Sequence, residues 1–188
     1  MTKVSSLVQE QNRLLRGPSG FDYQVSTSVI HDRIHQGSMF SSTVFNQTLA
    51  AGATIGMLIR PDPSIDVHAR FEVAVGGDSI ARLYKGTTFS AAGAVLTPEN
   101  RNQVSSNTAL MLLNQDPTIT DPGTEMIPGG LFFPGGSGFF TSGSADDFFN
   151  EWILAPGVVY YGEVENISGV ANPTQIRIDF YEPIELLA

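Results

Sequence analysis

Three groups of side chains in this sequence have types and spacings that suit chemistry. His31 and His35, in Ile30-His31-Asp32-Arg33-Ile34-His35, stand four residues apart, so a helix would put both imidazoles on one side, as metal ligation requires. The segment lacks the intervening Glu of a zincin helix and no third ligand is evident, so ordinary, partly exposed histidines are expected. Gly77-Asp78-Ser79-Ile80 has the form of a serine-hydrolase nucleophile block, but such a serine needs a histidine base late in the chain. The only histidines are His31, His35 and His68, and a hairpin turn is the expected role of this block. Glu163 and Glu165 share one face of a predicted strand, and Asp146-Asp147 lie near Glu151, which gives the paired carboxylates that glycoside hydrolysis uses. An acidic chain makes such pairs by chance, so solvated strand faces and turns are expected. The expectation is therefore a protein that is not an enzyme, with no catalytic, metal-binding or cofactor-binding residues.

The elements that would position these groups read as strands. Among 188 residues, 12 Phe, 19 Gly and 11 Pro against 15% charged residues is the balance of a turn-rich β protein. A chain of this length buries roughly 70% of its unfolded surface, enough for one core without disulfides or metals. There is no cysteine, which removes thiolate and Cys-zinc chemistry. Ten Lys and Arg against 19 Asp and Glu give a net charge of -9, which repels polyanions, so no direct nucleic-acid partner is expected. No stretch approaches the roughly 20 apolar residues of a membrane span, and Met1 to Leu7 lacks the apolar run of a signal peptide. A soluble chain made in the cytosol, without a membrane partner, is expected. Asn46-Gln47-Thr48 and Asn166-Ile167-Ser168 fit the glycosylation pattern but carry no weight without a secretion signal.

Residues 1–38 are expected to form an N-terminal arm and residues 39–188 a β-sandwich domain. In the arm, Leu7, Val8, Leu14 and Leu15 fall at i, i+1, i+7 and i+8, one face of a short helix over residues 5–16 that Gly17-Pro18 stops. Residues 19–38 show no sustained period and read as a strap over the domain or a reach toward a neighbouring subunit. From residue 39 strands are predicted at 40–49, 53–60, 67–75, 79–90, 104–115, 148–154, 158–166 and 174–182. The strict alternation of Val67, Ala69, Phe71, Val73 and Val75 with His68, Arg70, Glu72 and Ala74 is the clearest of them. The run Ala109-Leu110-Met111-Leu112-Leu113 predicts a strand covered on both faces. Residues 118–147 form a Gly- and Pro-rich loop whose pairs Phe132-Phe133 and Phe139-Phe140 suit either core anchors or a contact surface for another subunit. About eight antiparallel strands in two sheets is the size of a jelly roll, so the expected fold class is an all-β jelly-roll antiparallel β-sandwich with an N-terminal arm containing a short helix.

One stretch, roughly residues 80–182, resembles the jelly-roll head decoration, or cement, proteins of tailed bacteriophages. The resemblance rests on Tyr84, Thr97-Pro98 with Asn100-Arg101-Asn102, Ser105-Ser106-Asn107-Thr108, Asp116-Pro117, Gly123-Thr124 and the glycine-rich 129–138. It continues through Glu151-Trp152-Ile153-Leu154 with Pro156-Gly157, Tyr160-Tyr161, Asn166, Ser168-Gly169 and Arg177-Ile178-Asp179-Phe180-Tyr181-Glu182. The chain departs from it in Leu110 to Leu113 and in its extra phenylalanines. The resemblance implies a structural virion protein on the outer capsid surface, bridging major capsid proteins and forming a homo-oligomer, a trimer or a dimer. Expected capsid or inter-subunit contacts are Leu7, Val8, Leu14, Leu15, Phe132, Phe133, Phe139 and Phe140. The alternatives are another phage tail or fibre component, or a carbohydrate-binding β-sandwich with Trp152, Tyr160 and Tyr161 exposed as sugar platforms.

Overall fold

The computed structural model describes residues 29–135 and 151–182 in full, and the backbone alone at 14–16, 22–24 and 141–142. Two antiparallel sheets form the body. The first is built from β3 (Met39–Leu49), β5 (Val67–Val75), β15 (Trp152–Leu154) and β17 (Asn172–Tyr181), in the order β15-β5-β17-β3. The second is built from β4 (Thr54–Arg60), β6 (Ser79–Lys85), β13 (Leu131–Phe133) and β16 (Tyr160–Asn166), in the order β13-β6-β16-β4. Successive strands cross between the sheets except at the step from β6 to β13. That order is the eight-stranded jelly roll expected from the sequence, an open two-sheet sandwich.

The core follows from side-chain alternation. Along β5 every odd-numbered residue is buried and every even-numbered one half-buried, as the period of two demands. Val67, Phe71, Val73, Ile176, Ile178 and Phe180 of the first sheet meet Ile55, Met57, Ile59, Leu83 and Val164 of the second. Phe40 and Phe180, opposite each other in the β3–β17 ladder, stack with ring centres 5.5 Å apart.

Residues 86–130, inserted between β6 and β13, account for most of the departures from the predicted strands. The predicted strand 79–90 breaks at Gly86, whose φ is +74°, and resumes as β7 (Thr88–Ala91), which pairs with β11 (Thr118–Asp121). β10 (Leu112–Gln115) and β8 (Ala94–Leu96) extend the second sheet beyond β4, while β9 (Glu99–Asn100) extends the first beyond β3. The insertion thus covers one edge of each sheet, where unpaired backbone would otherwise be open to association. Of the predicted strand 104–115 only the last four residues are strand; Leu112 is 53% exposed while Met111 and Leu113 are buried, so the apolar run is one-sided. The predicted loop 118–147 contains β11, β12 (Thr124–Glu125), β13 and β14 (Thr141–Ser142).

The arm differs from its prediction. Leu14–Arg16, the end of the expected helix, is strand β1, paired with β2 (Asp22–Gln24) in a two-stranded ribbon that belongs to neither sheet of the sandwich. The short helix lies instead at α1 (Val29–His35). It ends in a Schellman turn: Gly37 N donates to Ile34 O at 2.9 Å and Ser38 N to Arg33 O at 3.1 Å, with Gly37 at φ +69°. Residues 5–13, including Leu7 and Val8, lie outside the described residues.

Candidate interaction surface

The Asn-rich segment singled out in the sequence, Asn100-Arg101-Asn102 with Ser105 to Asn107, clasps the end of α1 to the body. Asn100 Nδ2 donates to Gly37 O (2.9 Å) and Asn107 O (3.0 Å), Asn107 Nδ2 to Gly37 O (3.3 Å), and Asn102 Nδ2 to His35 O (3.1 Å). Arg101 N completes the contact on Met39 O at 2.8 Å. These donors satisfy carbonyls that a helix C-terminus leaves unpaired. A side chain at residue 37 would run into Ser105, so the close approach needs glycine as much as the positive φ does. The segment therefore fixes the point from which the arm leaves the sandwich.

Beside the clasp, the outer face of the first sheet carries a ladder of charged and aromatic groups. Tyr181 stacks on His68 at 4.5 Å and 16°, and Arg33 of α1 lies over the Tyr181 ring at 5.1 Å. Glu151 Oε1 accepts the Tyr181 hydroxyl and contacts His68 Nδ1. Burial opposes ionisation of Glu151, but the hydrogen bonds from Tyr181 and His68 outweigh it and hold the carboxyl below its ordinary range. Burial, then Glu151, pushes the Tyr181 hydroxyl well up, so it stays a donor. One strand pair further along, Asp179 takes Ser41 Oγ at 2.6 Å and both Nε (3.1 Å) and Nη2 (3.0 Å) of Arg177. The fork-to-carboxylate pairing is the geometrically specific form of ion pair. Each of these carboxylates is spent on a neighbour in the same sheet face.

The second sheet carries an acidic cluster of its own. Arg82 Nη1 sits 2.9 Å from Glu165 and 3.4 Å from Glu163, with Glu125 at 3.8 Å from Nε, so three carboxylates share one guanidinium. Glu163 also accepts the Tyr84 hydroxyl at 3.2 Å, and burial, reinforced by Glu163, pushes Tyr84 up to about 12. The expected solvated pair Glu163 and Glu165 is thus a half-buried ion cluster. A void among Phe71, Val73, Leu83, Val164 and Ile176 lies between the sheets and is apolar.

The remaining sequence candidates fall in distinct places. Ser79 of the nucleophile-like block is fully buried and donates to Gly77 O at 2.9 Å, while Asp78 Oδ1 accepts Gly135 N at 2.6 Å. The block is not the expected hairpin turn: β5 and β6 belong to different sheets and do not pair, so Gly77-Asp78 carries the chain across from one sheet to the other and Ser79-Ile80 open β6. Asn166 of the apparent glycosylation site is fully buried, its amide spent on three carbonyls. Phe133 is a core anchor, while Phe132 is 59% exposed at the edge of the second sheet. Leu14 and Leu15 lie on β1, with side chains outside the described residues, as Phe139 and Phe140 are entirely. Tyr160 and Tyr161 are buried and Trp152 is half-buried against the core, so these rings do not form the exposed platform that sugar binding would use.

Sequence reasoning missed the His68–Glu151–Tyr181 group, whose members are brought together only by the sheet. The one available signal was His68 on the polar face of the most regular strand. The chain matches no family model and no curated protein. Among the described residues no helix is long and apolar enough to cross a membrane.

Proposed function

We propose that this is a structural virion protein, a decoration or cement protein that binds the outer surface of a phage head and bridges neighbouring major capsid proteins. The observation that carries the reading is the ribbon β1–β2, whose strands pair with each other and, among the described residues, with no strand of the sandwich, joined through a clasped helix to a jelly-roll body. A self-paired ribbon on a fixed base is a ready means of reaching a neighbour. The resemblance over residues 80–182 points the same way, and part of it, Asn100 to Asn107, is the segment that anchors the arm. As a homo-oligomer, the protein would engage several capsid subunits at once, so that weak single contacts add through effective concentration.

Removal of residues 1–28 tests the role of the arm while keeping α1 and its clasp. The truncated chain should remain folded and lose co-sedimentation with heads assembled without it. Retention equal to that of the full chain contradicts the assignment of the arm. The buried Tyr160 and Tyr161 count against the carbohydrate-binding alternative. A tail or fibre station remains the competing position for the same structural role.

A further inference from the structure

We propose that His31 and His35 form a two-histidine clamp for a borderline divalent ion such as Zn2+ or Cu2+. Their Nε2 atoms lie 3.0 Å apart, with ring centres separated by 4.5 Å and planes at 66°. Two nitrogens bound to one ion at about 2.0–2.1 Å, with an angle between square and tetrahedral, stand about 2.9–3.4 Å apart. The two nitrogens share a hydrogen bond at this distance, and the ring centres show how the rings are tilted about it. With each nitrogen about 1.15 Å from its ring centre, a head-on N–H···N bond of the same length puts the centres about 5.3 Å apart, whereas convergence on one ion gives about 4.7 Å. The observed separation is shorter than the head-on value and near the convergent one, so the rings are already tilted away from a head-on approach, and the nitrogens stand at the spacing that one ion requires.

The clamp is held ready by its surroundings. The Schellman turn closes α1 directly after His35, and Asn102 binds the His35 carbonyl at 3.1 Å, so the helical spacing of the two imidazoles is fixed by the body. Both histidines are exposed, which gives an ion access from solvent. Imidazole favours zinc, copper and nickel over magnesium or calcium. Ligation needs a lone pair on each Nε2, so the proton of the present hydrogen bond is displaced from between the two nitrogens when the ion enters. Among the described residues no group of three or more His, Asp or Glu side chains is arranged around an ion, so those residues supply two ligands to it. The site lies at the root of the arm, where a bound ion would staple the last turn of α1.

Calorimetric titration of the full-length chain with ZnCl2, and separately with CuCl2, near neutral pH tests the clamp. Binding should weaken roughly tenfold or more in His31→Ala and in His35→Ala, because either change removes the chelate. His68→Ala should bind as the parent does. His31→Gln, which keeps a long polar side chain on the helix, should lose binding as His31→Ala does, and circular dichroism should show each variant folded. The proposal is overturned if the parent chain takes up neither ion, if a folded single variant binds as tightly as the parent, or if His68→Ala abolishes binding.

Discussion

Asn166→Asp should destabilise the protein by about 3 kcal/mol or more, the cost of leaving several buried polar groups without partners. Asn166 is fully buried, and its amide donates to Leu49 O at 2.8 Å, Ala50 O at 3.2 Å and Val170 O at 2.9 Å. Its Oδ1 accepts both Ser168 N (3.0 Å) and Ser168 Oγ (2.7 Å). The side chain joins the turn after β3 to the turn before β17, and so ties one sheet to the other at that end of the sandwich. A carboxylate has the same shape but no donor, and would set an oxygen against three carbonyl oxygens. Asn166→Ala removes the donors without that repulsion, so urea midpoints should fall in the order parent, alanine variant, aspartate variant. An aspartate variant as stable as the parent would contradict this role.

Glu182→Ala should cost about 2–6 kcal/mol, since it strips partners from the Leu110 and Met111 amides at about 1–3 kcal/mol each. The Glu182 carboxylate is fully buried and accepts Leu110 N at 3.0 Å on both oxygens and Met111 N at 2.7 Å. It thereby takes the place of a strand partner for the two residues that lead into β10. Burial pushes this carboxyl above its ordinary range, against the two amides that favour its charge. The folded state then holds the Glu182 proton more tightly than the unfolded chain does. Its contribution is full below the ordinary carboxylate value, near pH 4, and is lost as pH rises through the raised value. Glu182→Gln does not titrate, so denaturation across that window should show the parent losing stability relative to the glutamine variant as pH rises. A constant difference would contradict a buried, titrating Glu182.

These two residues show where the sequence was legible and where it was not. Strand β5 was readable because alternation is local: each residue's face follows from its neighbours two positions away. The jelly roll itself was legible from several such strands and the turns between them. The predicted strand 104–115 was too long because an apolar run cannot reveal that Leu110 and Met111 give their amides to a side chain seventy residues away. The helix expected over residues 5–16 rested on two apolar pairs, Leu7-Val8 and Leu14-Leu15, and pairs seven residues apart do not by themselves distinguish a helix from a short strand; Leu14–Arg16 pairs with Asp22–Gln24 instead. The Asn100 segment stood out as a motif, yet its work depends on the Gly37 carbonyl 63 positions away in sequence. In the same way, Glu163 and Glu165 read correctly as neighbours on one strand face, but Arg82, which binds both, sits on another strand.

The arm and the clasp become a functional account only if the chain sits where a decoration protein must. The most direct measurement is immunogold labelling of intact virions with antibody raised against the purified protein. Label spread over the whole outer surface of the head is the expected result. Label confined to the tail, or its absence from purified virions, would contradict the account.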